Sequence, residues 1–310
     1  MSRHRKRENS RSVDYFQKLN EQITHSDGPV QIVSPEGLKP LNPRPSLSTY
    51  LQQLWERRFF VIAEARSKAL RSTRDYRLWK LWLVANPILD VAFYGFLFGY
   101  LFKTSRGIEN FIGYLILGIM FMRMITGLFS AGSGLITKSR GMIRTFAFPR
   151  ASLAFSQTLR AGIDNLLPAL IGMVLAFLAQ WGTPPNWTII LVVPLYLMLH
   201  IFGCGLMMIS ARLTAEIPDV KALMGIVTQA WFFLSGVMFS LDRFSHTPVV
   251  QEVMSHNPAY IFLMAIRNST IYGTCPDLST WLTLLAWTFG TFVVGFIYFW
   301  GAEHKYVRLA

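Results

Sequence analysis

Charge is what this chain lacks most. Only 15% of its 310 residues are Asp, Glu, Lys or Arg, against roughly 25% in soluble domains, which excludes a water-soluble fold for most of its length. The shortage is lopsided, with 17 acidic residues against 30 basic ones. The carboxylates are scattered, so none of the clusters needed by a membrane enzyme acting on a lipid substrate is present. Cysteine is scarce as well. Cys204 falls in an apolar run and Cys275 in a loop, so no disulfide is expected. His246, Glu252 and His256 follow no ligand spacing, and no metal site is expected. A phosphate-binding loop is missing too: the nearest run, Gly132 to Ser139, carries Thr137 where the second glycine is required. Residues 1–45 contain no apolar core of a signal peptide, so none is expected to be cleaved. No internal repeat with paired broken helices suggests a secondary transporter.

Apolar sequence is abundant, at 52% hydrophobic and 14% aromatic. Six runs approach the ~20 apolar residues that a bilayer needs: 79–102, 110–135, 151–181, 187–211, 222–241 and 279–301. They predict an all-α integral membrane protein with six transmembrane helices, the third long enough to bend at Pro168. Around this permease domain (79–302), residues 1–45 read as a disordered basic arm and 303–310 as a cytoplasmic tail. Residues 46–78 read as an amphipathic interfacial helix. Thr49 with Gln52 suggests a capping box, and Leu51, Leu54, Trp55, Phe59 and Ile62 share one face.

The net charge of +13 does not point to nucleic acid, because the basic residues sit on the arm and beside apolar runs. With the N-terminus inside, cytoplasmic segments hold 24 Lys and Arg, and the outer loops hold 4: Lys103, Arg106, Arg243 and Arg267. That asymmetry predicts both termini in the cytoplasm. Asp90 and Arg123 are intramembrane and at similar depth, which predicts an ion pair ordering the first two spans. Arg160 and Asp164, one turn apart, are expected to pair within the third. Asn257 and Pro258 are placed as N-cap and first residue of a helix running to about Tyr272.

The short loop between the second and third runs contains Lys138, Arg140, Gly141, Ile143, Arg144, Phe146, Phe148, Pro149 and Arg150. A loop that merely turns does not need exposed apolar residues rimmed by charge, and this one reads as a docking surface for another protein. A basic amphipathic helix, two spans, a loop with Gly141, Ile143, Arg144, Phe148, Pro149 and Arg150 in this spacing, and four more spans resemble the membrane subunit of type-2 ABC exporters. The likeness is greatest to polysaccharide, teichoic-acid and O-antigen exporters. The segments "LTAEIPDVKAL" and "NPAYIFLMAIRNSTIYG" resemble further family motifs, although Ala215 and Glu216 stand where Arg and Asp are usual. The likeness covers about residues 49–302.

The resemblance implies that this loop couples to a separate ATPase subunit, which would hold ATP and Mg, leaving no cofactor on this chain. It implies a homodimer in the inner membrane, with short re-entrant helices before the sixth span as an outer gate. The conduit would be lined mainly by spans one and five. Aromatic faces stack on sugars, so Tyr94, Trp231 and Phe239 are expected to line it. The implied cargo is a polymer on a polyprenyl diphosphate, whose headgroup Arg71, Arg74, Arg77 and Lys80 would suit, as they would ordinary membrane lipids. A drug or lipid efflux permease is the alternative within transport, and a membrane enzyme on a lipid-linked substrate the alternative outside it.

Overall fold

The computed structural model describes residues 45–69, 108, 110–180, 184–241 and 246–309, with isolated positions between 85 and 97. Most of the basic arm, the cations Arg71, Arg74, Arg77 and Lys80, and the greater part of the first predicted span, with Asp90 and Tyr94, lie outside the described residues.

The described chain is helical. Helices α1 (Leu47–Glu56) and α2 (Arg58–Lys68) occupy the segment expected to be one interfacial helix. The break falls at Arg57, which caps both. The N-cap is Ser46, whose Oγ accepts from the Thr49 N–H at 3.3 Å, and Gln52 donates to Glu56 instead of back to the cap. The expected box at Thr49 is therefore corrected by one turn, because the serine reaches the free N–H groups first. Leu51, Trp55, Phe59 and Ile62 are exposed together, while Tyr50 is fully buried on the opposite side.

Among the described residues, four helical segments are long and apolar enough to cross a membrane: α3 (Phe111–Gly132), α6 (Ala151–Ala179), Trp187–Glu216 and α11 (Leu278–Gly301). The third begins as a 3-10 turn at Trp187–Leu191 and continues as α7 (Val192–Glu216). Between α3 and α6 lie two short helices, α4 (Leu135–Lys138) and α5 (Arg140–Thr145). Of the most apolar stretch of α3, 78% is buried, against 17% for α6 and 28% for α11. So α3 is the central post, and α6 and α11 are peripheral. α7 and α11 meet backbone to backbone: a Cβ on Gly205 would lie 2.4 Å from the Thr291 carbonyl, and one on Gly295 would lie 2.3 Å from that of Gly205. Small residues at a crossing allow this approach in a medium where packing alone must hold helices together.

The fifth predicted span is shorter than expected. α8 (Val220–Leu234) has 15 residues, about 22 Å at 1.5 Å per residue, against a hydrocarbon core of about 30 Å. Beyond it the chain turns at Ser235 and at Gly236 (φ +60°) and runs irregularly to Leu241. α9 (Pro248–Ser255) and α10 (Pro258–Thr270) follow. Asn257 caps α10 by accepting from the Ala259 N–H at 3.0 Å, and Pro258 opens it, as the sequence predicts. This helix is no surface element, since Phe262, Leu263, Ile266 and Arg267 are buried against α3 and α7. Residues 303–309 form a last turn and a one-turn helix, α12 (Tyr306–Leu309).

Candidate functional site

Among the described residues, polar chemistry stands out at three places along the bundle. At the end formed by α4 and α5, hereafter the loop end, Lys138, Arg140, Gly141, Arg144 and Phe146 are exposed. Ile143, Phe148, Pro149 and Arg150 are buried, which corrects the expectation that the loop offers all its apolar residues to water. The Phe148 ring packs on Phe60 of α2 at 5.8 Å. Arg150 turns inward to Glu303, its Nη1 donating to Oε1 at 3.1 Å and its backbone N–H to the same oxygen at 3.0 Å. The Tyr50 hydroxyl donates to Glu303 Oε2 at 2.8 Å and accepts from the Ala151 N–H at 3.0 Å.

One buried carboxylate thus ties α1, the end of the loop and the segment after α11. Burial raises its pKa, opposed by hydrogen bonds and charge from Arg150 and a hydrogen bond from Tyr50. The Tyr50 hydroxyl is pushed up by its own burial and by the neighbouring carboxylate. Lys305 adds an ion pair to Glu216 at 3.0 Å. The stretch read as a cytoplasmic tail is a structural hub, a role its short sequence did not signal.

Within the bundle, α3 exposes only Ile112, Arg123, Gly127 and Ser130. The last three recur at intervals of four and three, which is one helical face. Against them stand Thr228, Gln229, Phe232 and Phe233 of α8, with Thr126 and Met238, around a cavity of about 430 Å³. The Phe232 and Phe233 rings meet edge to face at 5.8 Å. The contrast with α6 decides what this face is. There the exposed stripe is Leu159, Leu166, Leu170, Val174 and Leu178, as lipid requires. A polar stripe at membrane depth faces water or protein instead. A larger cavity of about 860 Å³ opens between α6 and α7, but its walls are nearly all apolar and suit acyl chains.

The other intramembrane positions fall elsewhere. Arg160 Nε and Asp164 Oδ2 pair at 3.3 Å within α6, as their spacing predicts. Asn165 Nδ2 lies 3.3 Å from His200 Nε2 on α7. Trp231 is half-buried and turned into the bundle, its Nε1 donating to Asn257 Oδ1 at 2.9 Å and its ring beside Phe129 and Phe202. Phe239 lies in the irregular segment after α8. Thr228, Gln229 and Ser130 are residues that sequence reasoning passed over; their recurrence amid apolar neighbours was the available signal.

The third place is at the far end of the bundle. Arg267, counted above among outer-loop charges, is fully buried in α10. Its Nε donates to the Tyr114 carbonyl, Nη1 to that of Gly236 and Nη2 to that of Val237, each at 3.1 Å. The guanidinium lies over the Tyr114 ring, 3.3 Å from its centre. The Tyr114 hydroxyl donates to the carbonyls of Gly236 and Phe239 at 2.9 and 3.0 Å, and Asn257 Nδ2 donates to that of Leu234 at 3.1 Å. These side chains satisfy the last carbonyl of α8, at Leu234, and those of the irregular segment that follows it, which is why the helix can end inside an apolar run.

Comparison with known proteins adds an independent finding. The model of the family described as "ABC-2 type transporter" matches residues 60–271. An O-antigen export system permease protein RfbA of Klebsiella pneumoniae is 23% identical, over 63% of this chain and 73% of the relative. A second protein of that name and organism is 22% identical over 62% and 73%.

Proposed function

This chain belongs to the ABC-2 type transporter family and is a multi-pass membrane subunit of an ABC exporter, and from that premise we propose that it moves a lipid-linked cell-envelope polysaccharide out of the cytoplasm. A separate ATPase supplies the energy, seated on the exposed residues Lys138, Arg140, Arg144 and Phe146 at the loop end. That end faces the cytoplasm, in keeping with the Lys and Arg distribution, 24 inside against Lys103, Arg106 and Arg243 outside once buried Arg267 is set aside. A second copy of the chain closes the conduit.

The observation that carries this reading is the α3–α8 stripe. Hydroxyl, amide and aromatic groups together match a sugar chain, whose ring faces stack on aromatic rings and whose hydroxyls both give and take hydrogen bonds. The Klebsiella relatives, named for O-antigen export, agree with a polymer of this class.

The test is thiol accessibility in the assembled membrane complex. With Cys275→Ser as background, Ser130→Cys and Thr228→Cys are expected to react with a water-soluble maleimide. Leu170→Cys, on the lipid face, stays unmodified. Failure of both stripe positions to react, at the rate seen for Leu170→Cys, overturns the conduit. Deleting the chain is expected to strip one polymer class from the cell surface and accumulate its lipid-linked form inside; an unchanged envelope glycan profile overturns the cargo.

A further inference from the structure

Arg267 is a cationic side chain that the bundle buries completely. Among the described residues its hydrogen-bond partners are main-chain carbonyls and the Met264 sulfur, at 3.9 Å; no carboxylate pairs with it. Burying a cation without a counter-ion is costly, and such residues persist in membrane proteins where they do something. The three carbonyls come from two bodies. Tyr114 belongs to the central post α3, whereas Gly236 and Val237 belong to the irregular segment into which α8 dissolves.

That segment continues the polar stripe, since Met238 borders the same cavity as Arg123, Ser130 and Gln229. It therefore stands at the outer end of the conduit proposed above. Two side chains tie it to α3: the guanidinium, which bridges it through the Gly236 and Val237 carbonyls, and the Tyr114 hydroxyl, which donates to those of Gly236 and Phe239. Gly118 marks how close that bridge lies: a Cβ there would come within 2.1 Å of Arg267 Nη2 and 3.1 Å of the Val237 carbonyl.

We propose that Arg267 is the latch of the outer exit, holding residues 235–241 against α3 so that the conduit is sealed until the segment is pulled free. Carbonyl ligands suit a latch. An Arg–carboxylate pair would leave a bare buried charge on each side when broken, whereas here the freed carbonyls are neutral. Asn257, ten residues earlier, grips the Leu234 carbonyl from the same helix, so α10 carries both holds and its movement would release them together.

The inference rests on the stripe being the conduit, and the test separates the two. The chain with its ATPase is reconstituted in liposomes loaded with carboxyfluorescein, without nucleotide. Wild type is expected to retain the dye. Gly118→Ala, which displaces the guanidinium while leaving it intact, and Arg267→Gln are each expected to raise the leak at least tenfold, with Arg267→Lys between. The leak must run through the stripe: in a Cys275→Ser, Ser130→Cys background, a bulky water-soluble maleimide is expected to stop it. Retention of dye by a well-assembled Gly118→Ala complex overturns the latch, as does a leak that the maleimide leaves untouched. If Ser130→Cys and Thr228→Cys are inaccessible in wild type, the conduit itself falls, whatever the leak.

Discussion

Glu303 holds its carboxylate away from water by leaning on Arg150 and Tyr50, and such pairs are asymmetric in their energetics. Deleting one partner of a buried pair costs about 3–5 kcal/mol, because the other is left charged and alone. Arg150→Met is therefore expected to destabilise the detergent-solubilised protein by that order, in a pH-dependent way. Burial already raises the pKa of Glu303, and Arg150 opposes that rise. Without the arginine the folded-state value climbs further above the unfolded one, so the folded protein keeps a proton that the unfolded chain releases. Stability is then fully present at acidic pH and is lost as pH rises through the raised value. The melting temperature of Arg150→Met is expected to fall more steeply than wild type as pH rises above the ordinary carboxylate range. Adding Glu303→Gln, which has nothing to ionise, removes the extra slope; parallel pH profiles for wild type and Arg150→Met would refute the assignment.

Among the elements, α8 is the instructive case. Its sequence continues apolar to Leu241, and composition alone extends a span through it. The chain instead stops at Leu234, since Gly236 takes a positive φ and its carbonyl is held by Arg267 and Tyr114. Replacing Gly236 by Ala forces a Cβ to within 2.7 Å of the Tyr260 ring on a backbone that costs an L-residue about 1–2 kcal/mol. Loss of thermal stability by at least that much is expected, and an unchanged melting curve would mean that α8 can run on as a helix. The long apolar helices α3, α6, α7 and α11 were legible because lipid compatibility writes itself into every residue of a span. The α10 start was legible because Asn257 and Pro258 cap locally. What escaped was long-range: Arg267 reads as a loop charge until its partners, 30 and 153 positions away, are folded around it. Likewise Ile143 and Phe148 read as exposed until α2 and the core cover them. The one local hint, Ser235 followed by Gly236, is a turn signal that a long apolar run outweighed.

Across the described residues, burial falls from the central post outward, and the polar stripe of α3 and α8 marks a face that does not suit lipid. Substituting Thr228 and Gln229 together by Leu would turn that stripe into another lipid face. Surface polymer is then expected to drop at least tenfold while ATP hydrolysis by the complex persists; export at the wild-type level would show that the cargo passes elsewhere. The Glu303 hub has a further consequence, for the order in which the molecule can be built. Arg150 emerges from the ribosome 153 residues before the carboxylate that fixes it, and α6, α7 and α11 must all be threaded into the bilayer in between. The surface offered by residues 138–150 thus matures last. A partner that reads its finished shape is recruited only by chains whose insertion is complete, so assembly carries its own inspection step and half-made subunits do not tie up the motor.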